Sequence, residues 1–325
     1  MKTSTLKDLL VHEVRFLYNA EQQIINVVPR LLDSAGTPPE VHSLLNRLVS
    51  SSEEAVPVLQ EMIQKRDAIE PFRSVCRGVL GILADAETEP RSSTPFAVDV
   101  EIHLTAQRLN QYQLAGFVAA HTYAVALGYD HEVQLVQNVV SHKTETGNLM
   151  SHARGQLLTS KPFPQDPICR QIHRLIQGGR LIVRTVPGMV NAASSIELQA
   201  TLEGIIEQSA GGESQLHEIL TGLVPCHCDG SPSPGISAML KEAGKMLMAD
   251  LEAEATDMEL TVAMQRVIDY QLAGYRVGHS YFEAEVRKTE SSILARLITS
   301  LDHSRNRLMQ LPENLLEFRR LPKTR

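Results

Sequence analysis

One segment is written twice. Gln107–Tyr123 reads QRLNQYQLAGFVAAHTY, and Gln265–Tyr281 reads QRVIDYQLAGYRVGHSY, 158 positions later. The same offset carries Leu17 to Leu175, Pro29 to Pro187, Ser51 to Ser209 and Asp99 to Asp257. A period this long is not that of a solenoid, whose units run about 20–50 residues. It describes a tandem duplication of one domain. At 325 residues the chain has room for two units of ordinary domain size.

The boundary falls where prolines gather, in the Pro-rich connector 159–167 (Thr-Ser-Lys-Pro-Phe-Pro-Gln-Asp-Pro), because proline disfavours helix and stiffens a polar segment. The expected domains are therefore 1–158, 168–315 and a short tail, 316–325. Within each copy the apolar residues recur at three and four, as in Leu6, Leu9, Leu10, Leu17, Ile24, Ile25 and Val28. No run alternates with period two. The first copy reads as helices ending before Pro38-Pro39, from about 40 to 67 with Pro57 inside, over a short stretch 75–86, from Pro95 to Leu127, and from 131 to 158. Gly128-Tyr-Asp supplies the cap that ends the fourth. With aromatic residues at 4% and no Trp, the core is built from Leu, Ile, Val, Ala and Met, which favours helices over a β-sandwich. The fold class is all-α, two four-helix bundles in tandem, each with an extra short helix.

Net charge of −7 and a pI near 6.0 argue against a nucleic-acid footprint. The longest apolar run, Leu114–Gly128, is broken by His121, Thr122 and Tyr123 and is too short to span a bilayer. The first residues, MKTSTLKDLL, hold no apolar signal core. Four cysteines do not make a disulfide framework, so a reducing, cytoplasmic setting is expected. Neither a Ser-His-Asp order nor a P-loop or Rossmann glycine pattern occurs. Cys226-His227-Cys228 is the densest cluster of soft ligands. Its one-residue spacing and missing partner pair fit an oxidisable loop better than structural zinc, and a thiol site there is a third functional option.

The opening His12-Glu13…Leu17-Tyr-Asn-Ala-Glu-Gln-Gln23 with Val28-Pro29, then Cys76-Arg-Gly-Val-Leu-Gly-Ile-Leu-Ala-Asp85 and Ala106-Gln…Tyr112…Ala115, resembles the YciE/YciF-type ferritin-like family. The resemblance spans most of residues 4–157 and, more weakly, 165–312. It implies a compact bundle, stress-associated expression and a di-metal centre held by carboxylates from four helices. Two buried dications require several anionic oxygens. Carried onto this chain, the six family positions read Glu21, Ser50, Glu54, Gln113, Lys143 and Gly147 in the first copy. In the second they read Gly179, Gln208, Gly212, Gln271, Ser304 and Leu308. Glu21 and Glu54 are the metal candidates of the first copy; the second retains no carboxylate. Lys143 facing Glu21 and Glu54, with Gln113 hydrogen-bonding beside them, would replace metals by an ion-pair and amide network.

The expected function is a non-catalytic, stress-associated ferritin-like scaffold or interaction protein with no cofactor. The alternative is an iron- or manganese-binding oxidase or iron-handling protein with one site in the first bundle. The two copies are expected to pair as an intramolecular pseudo-dimer, with homo-oligomers possible and neither nucleic acid nor membrane as partner.

Overall fold

The computed structural model describes residues 5–32, 39–65, 75–87, 94–159, 165–223, 233–247 and 251–320. Among them there are ten helices and no strand: α1 (Leu6–Leu32), α2 (Pro39–Gln64), α3 (Arg77–Glu87), α4 (Pro95–Leu127), α5 (Asp130–Thr159), α6 (Gln165–Ala192), α7 (Ile196–Thr221), α8 (Pro234–Met246), α9 (Ala253–Ala284) and α10 (Lys288–Arg320). The Cys226–Cys228 cluster lies outside the described residues. None of the described helices is long and apolar enough to cross a membrane.

The ends of the long helices follow local chemistry. Thr94 caps α4 by accepting from the Ala97 N–H at 3.3 Å, with Pro95 in the first turn. Gly128, at φ 69°, closes the same helix in the left-handed conformation that costs glycine nothing. The corresponding residue in the second copy is Val286, at φ 57° and exposed. α6 begins at Gln165 and α10 runs to Arg320, so both helices extend past the expected limits at 168 and 315. Prolines near a helix start are tolerated because the first N–H groups have no intrahelical acceptor.

α1, α2, α4 and α5 pack together as one bundle, and α6, α7, α9 and α10 as the second. α4 and α9 lie against each other at the centre of the molecule, and the short helices α3 and α8 pack side by side. Their central position explains why α4 and α9 show little amphipathic period: both are buried almost all round. The apolar core does not respect the repeat boundary. One cluster joins Ile24, Leu45 and Leu109 to most of the second bundle, and the other joins Leu17, Phe117 and Val136 to Met258 and Val262 of α9. In the first bundle these clusters divide near the level of Glu21 on α1, Ser52 on α2, Gln113 on α4 and Lys143 on α5.

Buried positions of α1 and α4 recur 158 residues later in α6 and α9, as with Leu17 and Leu175 or Tyr112 and Tyr270. α2 and α7 correspond at 157 instead: Leu48, Ala55, Leu59 and Met62 match Ile205, Gly212, Leu216 and Ile219. The single-residue slip reassigns the positions facing the centre, with Ser52 now matched by Ser209.

Candidate functional site

Four side chains from four helices meet in the middle of the first bundle, all of them fully buried: Glu21, Ser52, Gln113 and Lys143. Lys143 Nζ stands 3.0 Å from Glu21 Oε1 and donates to Gln113 Oε1 at 3.1 Å. The Gln113 amide turns its other end toward Glu21 Oε2, to which it donates, and reaches Ser52 Oγ at 3.5 Å. Asn110 Nδ2 fixes the helix carrying the lysine by donating to the Lys143 carbonyl at 3.0 Å. Phe117 places its ring 5.4 Å from the ammonium. Burial pushes the Lys143 ammonium below the ordinary lysine range, and Glu21 works against that shift.

Ser50 and Glu54, expected at this centre, lie on the outer face of α2. Glu54 pairs there with His142 at 3.0 Å, both side chains being exposed. The burial rhythm of α2 explains the difference: Leu48, Ser52, Ala55 and Leu59 form its inner stripe, about 100° per residue apart, which turns 50 and 54 outward. Ser52 was missed for that reason. Gly147 is buried where α5 approaches α4, and a Cβ there would meet Asn110 Nδ2 at 3.0 Å. Chemically, this centre sets one carboxylate against one ammonium and fills the remaining sites with neutral amide and hydroxyl groups. Among the described residues, no group of three or more His, Cys, Asp or Glu could hold a metal ion.

The second bundle differs at the same level. Gly179 stands in the place of Glu21. Val136, Lys143, Gly147 and Met150 of α5 correspond to the buried Leu297, Ser304, Leu308 and Leu311 of α10, so Ser304 stands in the place of Lys143. Ser304 Oγ donates to Gln208 Oε1 at 3.0 Å. A cavity of about 300 Å³ opens here, lined by Gly179, Gln208, Ser209, Gly212, Gln271 and Tyr275, among others.

A third cluster joins the two copies. Glu242 on α8 accepts from the Arg77 and Gly78 N–H groups at the start of α3, at 2.8 and 3.1 Å, and from the Tyr112 hydroxyl at 3.1 Å. Asp85 on α3 returns the arrangement at the start of α8. It accepts from Ser233 Oγ at 2.7 Å, the Gly235 N–H at 3.3 Å and the Tyr270 hydroxyl at 2.6 Å. Each short helix thus has N–H groups of its first turn met by a carboxylate from the other copy. Two buried arginines cross as well. Arg108 lies 3.9 Å over the Tyr270 ring and 3.7 Å from Asp85, while Arg266 lies 4.8 Å over Tyr112 and pairs with Glu13. Desolvation raises Asp85 and Glu13 above the ordinary carboxylate range, and the two arginines oppose the rise.

The repeated Ala-Gly of the QLAG motif serves this crossing. A Cβ on Gly116 would collide with the Glu13 carboxylate and the Arg266 guanidinium, and one on Gly274 with the Gln171 amide. What passes over Gly116 is an ion pair between Glu13 of its own copy and Arg266 of the other. Cys76 donates to the Tyr112 hydroxyl at 3.3 Å, since the hydroxyl's own proton goes to Glu242, and burial pushes its thiol up to about 12.

Residues 5–161 match the family described as "Domain of unknown function (DUF892)". No curated protein matches the chain. Among solved structures it is similar to the E. coli stress protein YciF, at 15% identity and a TM-score of 0.45, over 48% of this chain and 99% of that one.

Proposed function

We propose that this chain is a stress-associated, non-catalytic ferritin-like scaffold, a reading supported by the match of residues 5–161 to the DUF892 family. In its first bundle an ion-pair and amide network takes the place of a di-metal centre. Stress association rests on the name of YciF alone. The chemical part of the reading rests on one observation: the Lys143 ammonium lies 3.0 Å from Glu21, the one carboxylate at the centre. Two dications brought into this space would face a fixed positive charge and a single anionic side chain, and repulsion from Lys143 would add to their own. The donor set present therefore does not fit a pair of metal ions.

The reciprocal capping by Asp85 and Glu242 supports reading the two bundles as an intramolecular pseudo-dimer, with their mutual face taken up inside the chain. The scaffold reading is tested by metal analysis of protein produced with excess iron and manganese. It expects no stoichiometric metal and no visible band of an oxo-bridged centre. Two equivalents of iron per chain, lost on Glu21→Ala, would establish the oxidase or iron-handling alternative.

A further inference from the structure

We propose that the hollow centre of the second bundle binds a small organic carboxylate with a compact apolar body that carries a hydrogen-bonding group. This goes beyond the scaffold reading and concerns the other bundle.

The cavity has a structural origin. Where the first bundle holds the Glu21 side chain, the second holds Gly179, which lines the cavity, and the ion pair with Lys143 has no counterpart at Ser304. The remaining space is about 300 Å³, at the lower end of the range for small-molecule sites.

Two of its polar residues form no hydrogen bond among the described residues. These are Gln271 and Tyr275, which line the cavity and are only 3% and 6% exposed, so their polar atoms face the solvent of the cavity. Buried amides and phenols are normally satisfied. The contrast with the first bundle is direct, since Gln113, the counterpart of Gln271, uses both ends of its amide. A ligand offering a donor or acceptor at depth would satisfy what the fold leaves open.

The charge of the ligand follows from the rim. Arg296 is the one charged residue of the lining, and no carboxylate pairs with it among the described residues. Ile182, Leu297, Leu301 and the Tyr275 ring supply apolar wall. An anionic end at Arg296, an apolar body against these walls and a polar group toward Gln271 meet all three conditions.

The test uses the full chain with para-hydroxybenzoate as probe and para-hydroxybenzamide as its neutral counterpart, both followed by calorimetric titration. Saturable binding of the benzoate is expected with Kd of about 1 mM or tighter, as suits a ligand of few atoms. A Cβ on Gly179 would meet nothing nearer than the Ser209 carbonyl at 3.5 Å, so Gly179→Leu grows into the hollow. It should weaken binding at least tenfold without lowering Tm. Ser300→Leu, from the rim, is the second filling variant should the first fail to fold. Arg296→Gln should remove the preference for the acid over the amide. Absence of saturable benzoate binding, binding unchanged in a folded filling variant, or equal affinity for acid and amide in the unaltered chain would each overturn the proposal. Metal content is not read in this experiment, so its failure leaves the scaffold reading standing.

Discussion

Lys143 and Glu21 are both removed from water, and each is tolerable only because the other is there. Removing one partner of such a pair typically costs about 3–5 kcal/mol, because an uncompensated charge stays buried. Lys143→Met alone is therefore expected to lower stability to denaturant by that order. Gly116→Ala should cost about 1–3 kcal/mol by overpacking, since its Cβ has no space between Glu13 and Arg266. Equilibrium urea unfolding measures both. His103 sets a pH dependence. Burial and the Arg154 guanidinium push its imidazole down to about 4. An unfolded His103 titrates near 6.5, so its contribution is full above that pH and is lost as pH falls toward 4, up to roughly 3 kcal/mol. Relative to His103→Gln, the unaltered chain should lose stability between pH 7 and pH 4.5; equal losses in both would refute the assignment.

At the scale of the helices, much was legible in the sequence. Pro95 and Gly128 mark the limits of α4, and the recurrence of apolar residues at three and four marks α1 and α6. The inner face of α2 was not legible, because Ser50, Ser51 and Ser52 are chemically alike and only packing against α1, α4 and α5 decides which points inward. Glu54 drew notice as a carboxylate but belongs to the wet face with His142. The reciprocal caps were equally hidden, since Asp85 and Glu242 lie 157 positions apart and each caps the short helix of the other copy. Repeat comparison does expose one strained turn. Val286 holds the left-handed conformation that Gly128 supplies in the first copy. Val286→Gly should raise stability by about 1 kcal/mol, the cost of holding a β-branched residue there less the entropy glycine adds to the unfolded chain. A lowered Tm would show that the turn is not strained.

Across the whole molecule, the two copies share their apolar clusters, their arginines and the caps of their short helices. Such sharing couples their unfolding, so calorimetry should show one transition whose van't Hoff and calorimetric enthalpies agree. Two separated transitions would mean that the interface adds little. The same scale shows a division of labour between the bundle centres. One is filled by opposite charges that neutralise each other, and the other is emptied of charge and left as a cavity.

The measurement closest to the central claim is a double-mutant cycle on Glu21 and Lys143. With an ion pair filling the first bundle, Glu21→Gln and Lys143→Met should each be strongly destabilising, while the combination costs far less than their sum. Additive losses would mean that the two charges do not depend on each other, and the account of this centre would fail.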